Sequence, residues 1–139
     1  MDRLLVDTGV WYAMFDPQDQ HAGEIEEKAE ILDLCRLVVP WPTMYETLRT
    51  RLVRNRNATR RLENYLKRPH LEYLDDAPYR EEALELAFSS SSTAFRPLSM
   101  VDCLIRLLLN DMNTKVAVLA TFNPADFIDL CQKRRIELI

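Results

Sequence analysis

Short, continuous apolar runs alternate along this chain with longer stretches in which apolar residues recur at helical spacing. A continuous apolar run is typical of a strand that is buried on both faces of a sheet. The predicted strands cover residues 4–6, 37–39, 71–74, 116–120 and 136–139, with 71–74 at an edge of the sheet. The predicted helices cover residues 21–34, 43–53, 59–66, 79–88 and 99–112, and a last short helix follows Pro124.

Strands that alternate with helices over connections of crossover length predict a parallel sheet covered on both faces. The four serines at 89–92 begin a predicted loop that reaches Pro97. The chain has 139 residues, and we expect residues 1–139 to form a single domain. Ligands of parallel sheets bind beyond the carboxyl ends of the strands, so the residues that follow each strand are the first candidates for function.

Composition narrows the class of protein. An apolar fraction of 47% suits a globular chain. Cys35, Cys103 and Cys131 lie far apart in apolar, helix-like segments, which predicts reduced thiols in a cytosolic protein. Residues 1–7 lack the apolar stretch of a signal peptide, and no apolar run approaches the length needed to span a membrane. We therefore expect a soluble, cytoplasmic protein without membrane association.

The charge is unevenly distributed. A net charge of −4, from 18 basic and 22 acidic residues, argues against a nucleic-acid partner. Residues 49–68, however, hold eight basic residues and one acid, Glu63. The basic residues are Arg49, Arg51, Arg54, Arg56, Arg60, Arg61, Lys67 and Arg68. Because salt screens distant charges, such a segment can bind phosphates even on an acidic protein. The alternative is a solvated helix face.

Carboxylates and an amide follow the predicted strands. Asp7 directly follows the first strand, and Glu46 lies in the first turn of the helix after the second. Asp102 lies in the first turn of the helix that begins at Ser99, while Asn123 and Asp126 follow the strand at 116–120. A parallel sheet would bring most of these positions to one edge.

Each acid has an alternative role as a helix cap. Thr43-x-x-Glu46 and Ser99-x-x-Asp102 match the capping-box pattern, and Asp7 and Asn123 suit N-cap positions. A cap needs no partner elsewhere in the chain. Several carboxylates at one sheet edge, in contrast, would repel one another unless a hard cation such as Mg²⁺ or Mn²⁺ bound them. Taken together, the acids favour a metal site, and an acid in a first turn can both cap and bind.

Four short motifs occur in order along the chain: Leu5-Val6-Asp7-Thr8, Pro42-Thr43-x-x-Glu46, Leu98-Ser99-x-x-Asp102 and Leu119-Ala120-Thr121-x-Asn123-x-x-Asp126-Phe127. This ordered set resembles the PIN-domain family, and most of all the VapC-type toxins of bacterial and archaeal toxin–antitoxin pairs. The resemblance extends over nearly the whole chain. It implies a three-layer α/β/α sandwich with a central, mainly parallel sheet, and an endoribonuclease that depends on Mg²⁺ or Mn²⁺.

The resemblance also implies roles for single residues. Asp7, Glu46 and Asp102 match the principal acids of the family, which bind metal and act in catalysis, and Asp126 matches the acid before the motif's phenylalanine. Asn123 stands where many members have a fourth acid, and it can ligate metal only through a neutral oxygen. In the implied reaction, activated water attacks the phosphorus while Asp7 or Asp102 accepts its proton.

Binding residues and partners follow from the same resemblance. Thr8 and Thr121 match small hydroxyl residues that shape the pocket, and Arg49, Arg51, Arg54 and Arg60 would bind either RNA or the peptide of a cognate antitoxin. A homodimer is the usual assembly. A PIN-like scaffold without activity, acting through protein or RNA contacts, is the rival hypothesis because Asn123 carries no charge.

Three further features complete the expectations. His21 and His70 lack a neighbouring acid or cysteine at metal spacing, which predicts surface or capping roles. Trp11, Tyr12 and Phe15 recur at helical spacing and are expected in the core or a subunit interface. Arg106, one turn beyond Asp102, would form a helical ion pair or meet a phosphate.

Overall fold

The computed structural model describes residues 1–93 and 96–139. Five strands form one sheet: β1 (Arg3–Val6), β2 (Arg36–Pro40), β3 (Leu71–Leu74), β4 (Val116–Ala120) and β5 (Glu137–Leu138). Their order is β3-β2-β1-β4-β5, and all four pairings are parallel. The predicted mainly parallel sheet is confirmed, with the segment at 71–74 on one edge.

Nine α-helices lie in the described part of the chain. They are α1 (Thr8–Phe15), α2 (Ala22–Glu26), α3 (Ala29–Leu34), α4 (Trp41–Thr47), α5 (Thr50–Val53), α6 (Arg56–Leu66), α7 (Arg80–Thr93), α8 (Met100–Asn110) and α9 (Ile128–Arg134). Short 3₁₀ turns at Ala77–Tyr79, Met112–Thr114 and Pro124–Asp126 join some of these elements. None of the helices among the described residues is both long enough and apolar enough to cross a membrane.

Two apolar clusters on opposite faces of the sheet make the three layers. Leu4 and Val6 of β1 join a cluster formed with helices α1 to α6, whereas Leu5 joins a second cluster with α7 to α9. All three side chains are fully buried. Alternate side chains of a strand point to opposite faces, so a continuous apolar run is what a doubly covered strand requires. The predicted three-layer α/β/α sandwich is confirmed.

Two predicted helices are interrupted. The helix predicted over 21–34 is two helices, α2 and α3, and Lys28 has non-helical backbone angles (φ −101°, ψ 0°) between them. The helix predicted over 43–53 is α4 and α5, because Leu48 leaves the helical region with ψ 37°. Each of the four shorter helices buries at least one residue of its own, such as Leu52 of α5 at 1% exposure. The two breaks depend on single residues whose backbone leaves the helical region, which helical spacing alone does not reveal.

The serine run is helical, and the predicted loop is therefore wrong at 89–92. Helix α7 continues through these residues, where Ser92 donates its hydroxyl to the Phe88 carbonyl at 3.2 Å. Ser90 likewise donates to the Ala87 carbonyl at 3.1 Å. Serine disfavours a helix by only a few tenths of a kcal/mol, roughly, so the packing of α7 on α8 is enough to keep these residues helical. Positions 94–95 of the predicted loop lie outside the described residues.

The strand order reverses at β1. From β1 the chain builds β2 and β3 on one side, and then returns to add β4 and β5 on the other. Val6 pairs with Ala120, so β1 and β4 end side by side. The crevice beyond such a switch point is the usual ligand site of an open parallel sheet.

The three cysteines are free and buried, as expected of reduced thiols.

Candidate active site

Asp7 lies at the switch point. Its N–H donates to the Ala120 carbonyl at 3.0 Å, which extends the β1–β4 ladder by one bond. Its side chain caps α1, because Oδ1 accepts from the Thr8 N–H at 2.8 Å. Oδ2 accepts from the Thr121 hydroxyl, also at 2.8 Å. With 6% exposure, Asp7 is a buried acid in a fixed orientation.

Glu46 of α4 is tied to α1. The Thr8 hydroxyl donates to Glu46 Oε1 at 2.7 Å, and the Tyr12 hydroxyl donates to the Glu46 carbonyl at 3.2 Å. The capping box considered for Thr43 and Glu46 is wrong. Helix α4 begins at Trp41, and Thr43 lies buried inside it, donating to the Pro40 carbonyl at 2.7 Å. Glu46 is therefore free of a capping role.

Asp102 lies in the first turn of α8, where the predicted capping box is present. Asp102 N–H donates to Ser99 Oγ at 3.1 Å, and the Ser99 N–H donates to Asp102 Oδ2 at 3.3 Å. Among the described residues, Oδ1 of Asp102 has no hydrogen-bond partner. The capping bond thus orients the carboxylate and leaves one oxygen for another task.

The charges of Glu46 and Asp102 influence the ionisation of Asp7. Burial, together with the charges of Asp102 and Glu46, raises the pKa of Asp7 to about 6, although the hydrogen bonds from Thr121 and Thr8 lower it. No basic side chain of the described chain is among the groups that shift this pKa. The structure therefore brings Asp7, Glu46 and Asp102 within electrostatic reach of one another at the edge that the sequence predicted.

Asn123 lies beside this cluster. It is exposed, and its N–H donates to the Thr121 hydroxyl oxygen at 3.0 Å. The side-chain cap suggested by its sequence context is not formed, because the Asn123 side chain makes no capping bond to the following 3₁₀ turn. Thr121 thus receives a bond from Asn123 and donates one to Asp7, which links the two positions through a single hydroxyl.

Asp126 has a different environment. Its side chain is 10% exposed, and Oδ1 lies within ion-pair distance of Arg96 Nε without the alignment of a hydrogen bond. Its carbonyl accepts from Arg106 at 2.7 Å. Arg106 also binds both oxygens of Asp129 at 2.8 Å, so it joins α8 to α9 instead of pairing within its own helix. Asp126 is not among the charges that shift the pKa of Asp7, and its predicted catalytic role stays a prediction.

The basic segment divides into parts with different surroundings. Arg49 donates through Nε to the Glu46 carbonyl at 3.1 Å, and Arg51 pairs with Asp16 at 3.3 Å. Both line a cleft of about 300 Å³ that also includes Asn123. The remaining basic residues of the segment lie outside the lining of this cleft. Arg54, Arg56 and Arg60 are exposed, and Arg61, Lys67 and Arg68 contact Met14, Glu63 and Asp33 respectively.

Two residues of this cleft, His21 and Phe122, were not among the predicted site residues. The His21 and Phe122 rings stack with centroids 4.0 Å apart and planes 9° apart. They are a hundred positions apart in the chain, and His21 looked like a surface residue. Phe122 could have been noticed because it stands between Thr121 and Asn123. Trp11 and Phe15, in contrast, are buried as expected.

The donor set fits a hard divalent cation. Asp7, Glu46 and Asp102 offer carboxylate oxygens and Asn123 offers a neutral one, while burial and the charges of the other two acids raise the pKa of Asp7 with no cationic side chain among the groups that shift it. In the conformation of the described residues, no three His, Cys, Asp or Glu side chains converge on one point. Glu46 and Asp102 are partly exposed, so their side chains have room to turn toward an ion.

Comparison with known proteins agrees with this architecture. A sequence model of the PIN domain matches residues 4–131. Among solved structures, the chain is similar to one in the crystal structure of VapBC2 from Rickettsia felis bound to a DNA fragment from their promoter. The TM-score is 0.57 at 18% identity, over 99% of this chain and 97% of that chain, which shows a shared fold. No curated protein sequence matches significantly. The chain belongs to the PIN-domain family.

Proposed function

We propose that this protein is a divalent-metal-dependent endoribonuclease that hydrolyses RNA phosphodiester bonds, and that it is the toxin of a toxin–antitoxin pair. The observation that carries the proposal is the buried carboxylate of Asp7, flanked by the charges of Glu46 and Asp102 and lacking a cationic partner. Nucleases are common in the PIN family, and a divalent cation is its typical cofactor.

Asp7, Glu46 and Asp102 are the proposed metal ligands, with Asn123 as a neutral fourth. A bound Mg²⁺ or Mn²⁺ supplies an activated water and stabilises charge on the phosphate oxygens. Asp7 has both oxygens engaged by Thr8 and Thr121, which fixes its direction. Asp102 Oδ1 has no hydrogen-bond partner among the described residues, which supports the assignment of Asp102, or alternatively Asp7, as the group that would accept the proton of the attacking water.

Substrate and partner contacts are assigned by charge and position. Arg49 and Arg51 line the cleft beside the acids, which suits binding of the RNA backbone. The similar structure from Rickettsia felis is of a VapBC2 complex. From this similarity we infer that the peptide of a cognate antitoxin is a partner of this chain. A homodimer, a cytoplasmic location and a single nuclease domain over residues 1–139 belong to the same proposal.

The test is cleavage of a structured RNA pool by the purified protein in Mn²⁺, in Mg²⁺ and in EDTA. Asp7→Asn should abolish cutting, because it removes the charge of the central ligand while asparagine can still cap α1. The matched control is Asp111→Asn. Asp111 also caps a helical turn, but it precedes β4 at the opposite edge of the sheet, so this variant should cut like the parent protein.

Mn²⁺ binding is measured by calorimetry on the same proteins. Cutting that needs metal and is lost only in Asp7→Asn supports the proposal. Cutting that survives Asp7→Asn refutes the assigned site. If the parent protein neither cuts RNA nor binds Mn²⁺, the enzyme proposal is overturned. That result favours the PIN-like scaffold, for which the neutral Asn123 argues.

A further inference from the structure

The cleft beside the acids contains a pair of stacked rings that no part of the proposed chemistry uses. His21 lies in the connection between α1 and α2, and Phe122 follows β4. Their centroids are 4.0 Å apart and their planes differ by 9°. We propose that the His21–Phe122 stack is a base platform, and that the cleft holds one unpaired nucleotide of single-stranded RNA next to the scissile phosphate.

Phe122 connects this platform to the acids. Its chain neighbours are Thr121, which donates to Asp7, and Asn123, which lines the cleft. On its other sides the Phe122 ring lies near Gly9 of α1 and beneath the Lys28 ammonium, which is 5.9 Å from the ring centroid. The Phe122 ring is thus held in place by packing. His21, whose side chain is 31% exposed, is the ring of the pair that a ligand can reach.

The lining of the cleft holds two basic side chains, Arg49 and Arg51, and one acid, Asp19. Arg49 is anchored through Nε to the Glu46 carbonyl, and its terminal N–H groups have no partner among the described residues. They are therefore available to a phosphate on the side of the cleft nearest the acids. Arg51 shares its charge with Asp16 at 3.3 Å, which makes Arg49 the main phosphate contact.

The size and polarity of the cleft point the same way. A volume of about 300 Å³ suits a single nucleotide, not a duplex, and the lining adds the side-chain amide of Gln20 for the edge of a base. Aromatic rings stack on unpaired bases without strict sequence preference, whereas paired bases inside a helix present no face to them. The inference therefore places an unpaired base against the His21 ring, and it rests on the proposal that this chain acts on RNA.

The test uses full-length Asp7→Asn protein in EDTA, so that the RNA stays intact. Single-stranded RNA octamers carry 2-aminopurine at one position each, because stacking on a ring quenches its fluorescence. We expect strong quenching at one position or two adjacent ones. Adding His21→Ala should remove this quenching and weaken binding about tenfold, within the range for loss of one base–ring stack. His21→Tyr keeps a ring and should restore both signals.

Two further variants separate stacking from other effects. Arg49→Ala should weaken binding to all octamers and reduce the salt dependence by about one charge, while the quenching of bound octamer remains. Phe88→Ala removes an aromatic ring that is 70% exposed on α7, outside the lining of the cleft, and should change neither signal.

The outcomes distinguish this inference from the proposed function. Quenching and affinity that are unchanged by His21→Ala, or no binding to any octamer, overturn the platform, whatever the parent protein does to RNA. Quenching that depends on the ring at position 21 supports the platform even if the parent protein fails to cut. Cutting of RNA by the parent protein is measured separately. It tests the nuclease proposal and does not bear on the platform.

Discussion

Replacing Asp7 by asparagine should stabilise the protein at pH 8 in the absence of divalent cations, although it removes the central acid of the proposed site. Burial together with the charges of Asp102 and Glu46 raises the pKa of Asp7 from 3.8 to about 6. The folded protein therefore holds this proton more tightly than the unfolded chain does. Ionisation of Asp7 costs no stability below about pH 4, and the cost grows as the pH rises through 6.

The magnitude follows from the size of the shift. At about 1.4 kcal/mol per pKa unit, the rise of Asp7 corresponds to about 3 kcal/mol at pH 8 and about 1 kcal/mol at pH 4.5. Asparagine has the same shape and no charge. It can accept from the Thr8 N–H and donate to Thr121, but the Thr121 hydroxyl loses its acceptor, at a cost of about 1 kcal/mol. We expect a net gain of about 2 kcal/mol at pH 8 and almost none at pH 4.5.

Urea denaturation of both proteins in EDTA, at the two pH values, measures this difference. Asp111→Asn is the control with the opposite sign, because the Tyr79 hydroxyl at 2.7 Å lowers the pKa of Asp111. That variant should lose stability at pH 8. Saturating Mn²⁺ should stabilise the parent protein and not Asp7→Asn, since only the former has the complete ligand set. A variant no more stable than its parent at pH 8, or equally stabilised at pH 4.5, refutes the reasoning.

Three other substitutions test the packing that holds the site. Arg106→Ala removes the bonds to both oxygens of Asp129 and should cost about 1–2 kcal/mol by urea denaturation, whereas Asp129→Asn should cost less because one acceptor remains. Phe127→Ala empties a fully buried position and should cost about 3–5 kcal/mol in the same assay; a cost below about 1 kcal/mol would contradict the packing. Ser99→Ala removes the cap of α8 and should cost about 1 kcal/mol and reduce RNA cleavage by loosening Asp102, while Ser99→Thr should retain both stability and rate.

The architecture was readable from the sequence because its signals are local. Continuous apolar runs at β1, β2 and β4 identify strands buried on both faces, and their alternation with helices requires a parallel sheet. In such a sheet the carboxyl ends share an edge, so the positions of Asp7, Glu46 and Asp102 after their strands were enough to expect them close together. The capping box of Ser99 and Asp102 is equally local, since it depends on residues three apart.

Tertiary structure decided which neighbours the polar groups have. Helical spacing does not reveal the breaks at Lys28 and Leu48, because the apolar residues keep the same spacing on both sides of each break while the backbone angles change. At the serine run, residues 89–92, a loop was predicted where the structure has a helix. Serine is common in loops, yet its helix penalty is too small to outweigh packing. Local propensities of a few tenths of a kcal/mol, roughly, yield to burial whenever the two conflict.

The sequence by itself determined the sheet, and it predicted the edge at which Asp7, Glu46 and Asp102 lie within electrostatic reach of one another. It could not determine that Asp126 lies against Arg96 while Asp7 has no cationic side chain among the groups that shift its pKa, or that His21 stacks on Phe122. These contacts join residues far apart in the chain, and their energies depend on distances of a few ångströms that only the packed helices establish. Periodicity and capping act over about four residues, whereas the environment of a charge is a property of the whole fold.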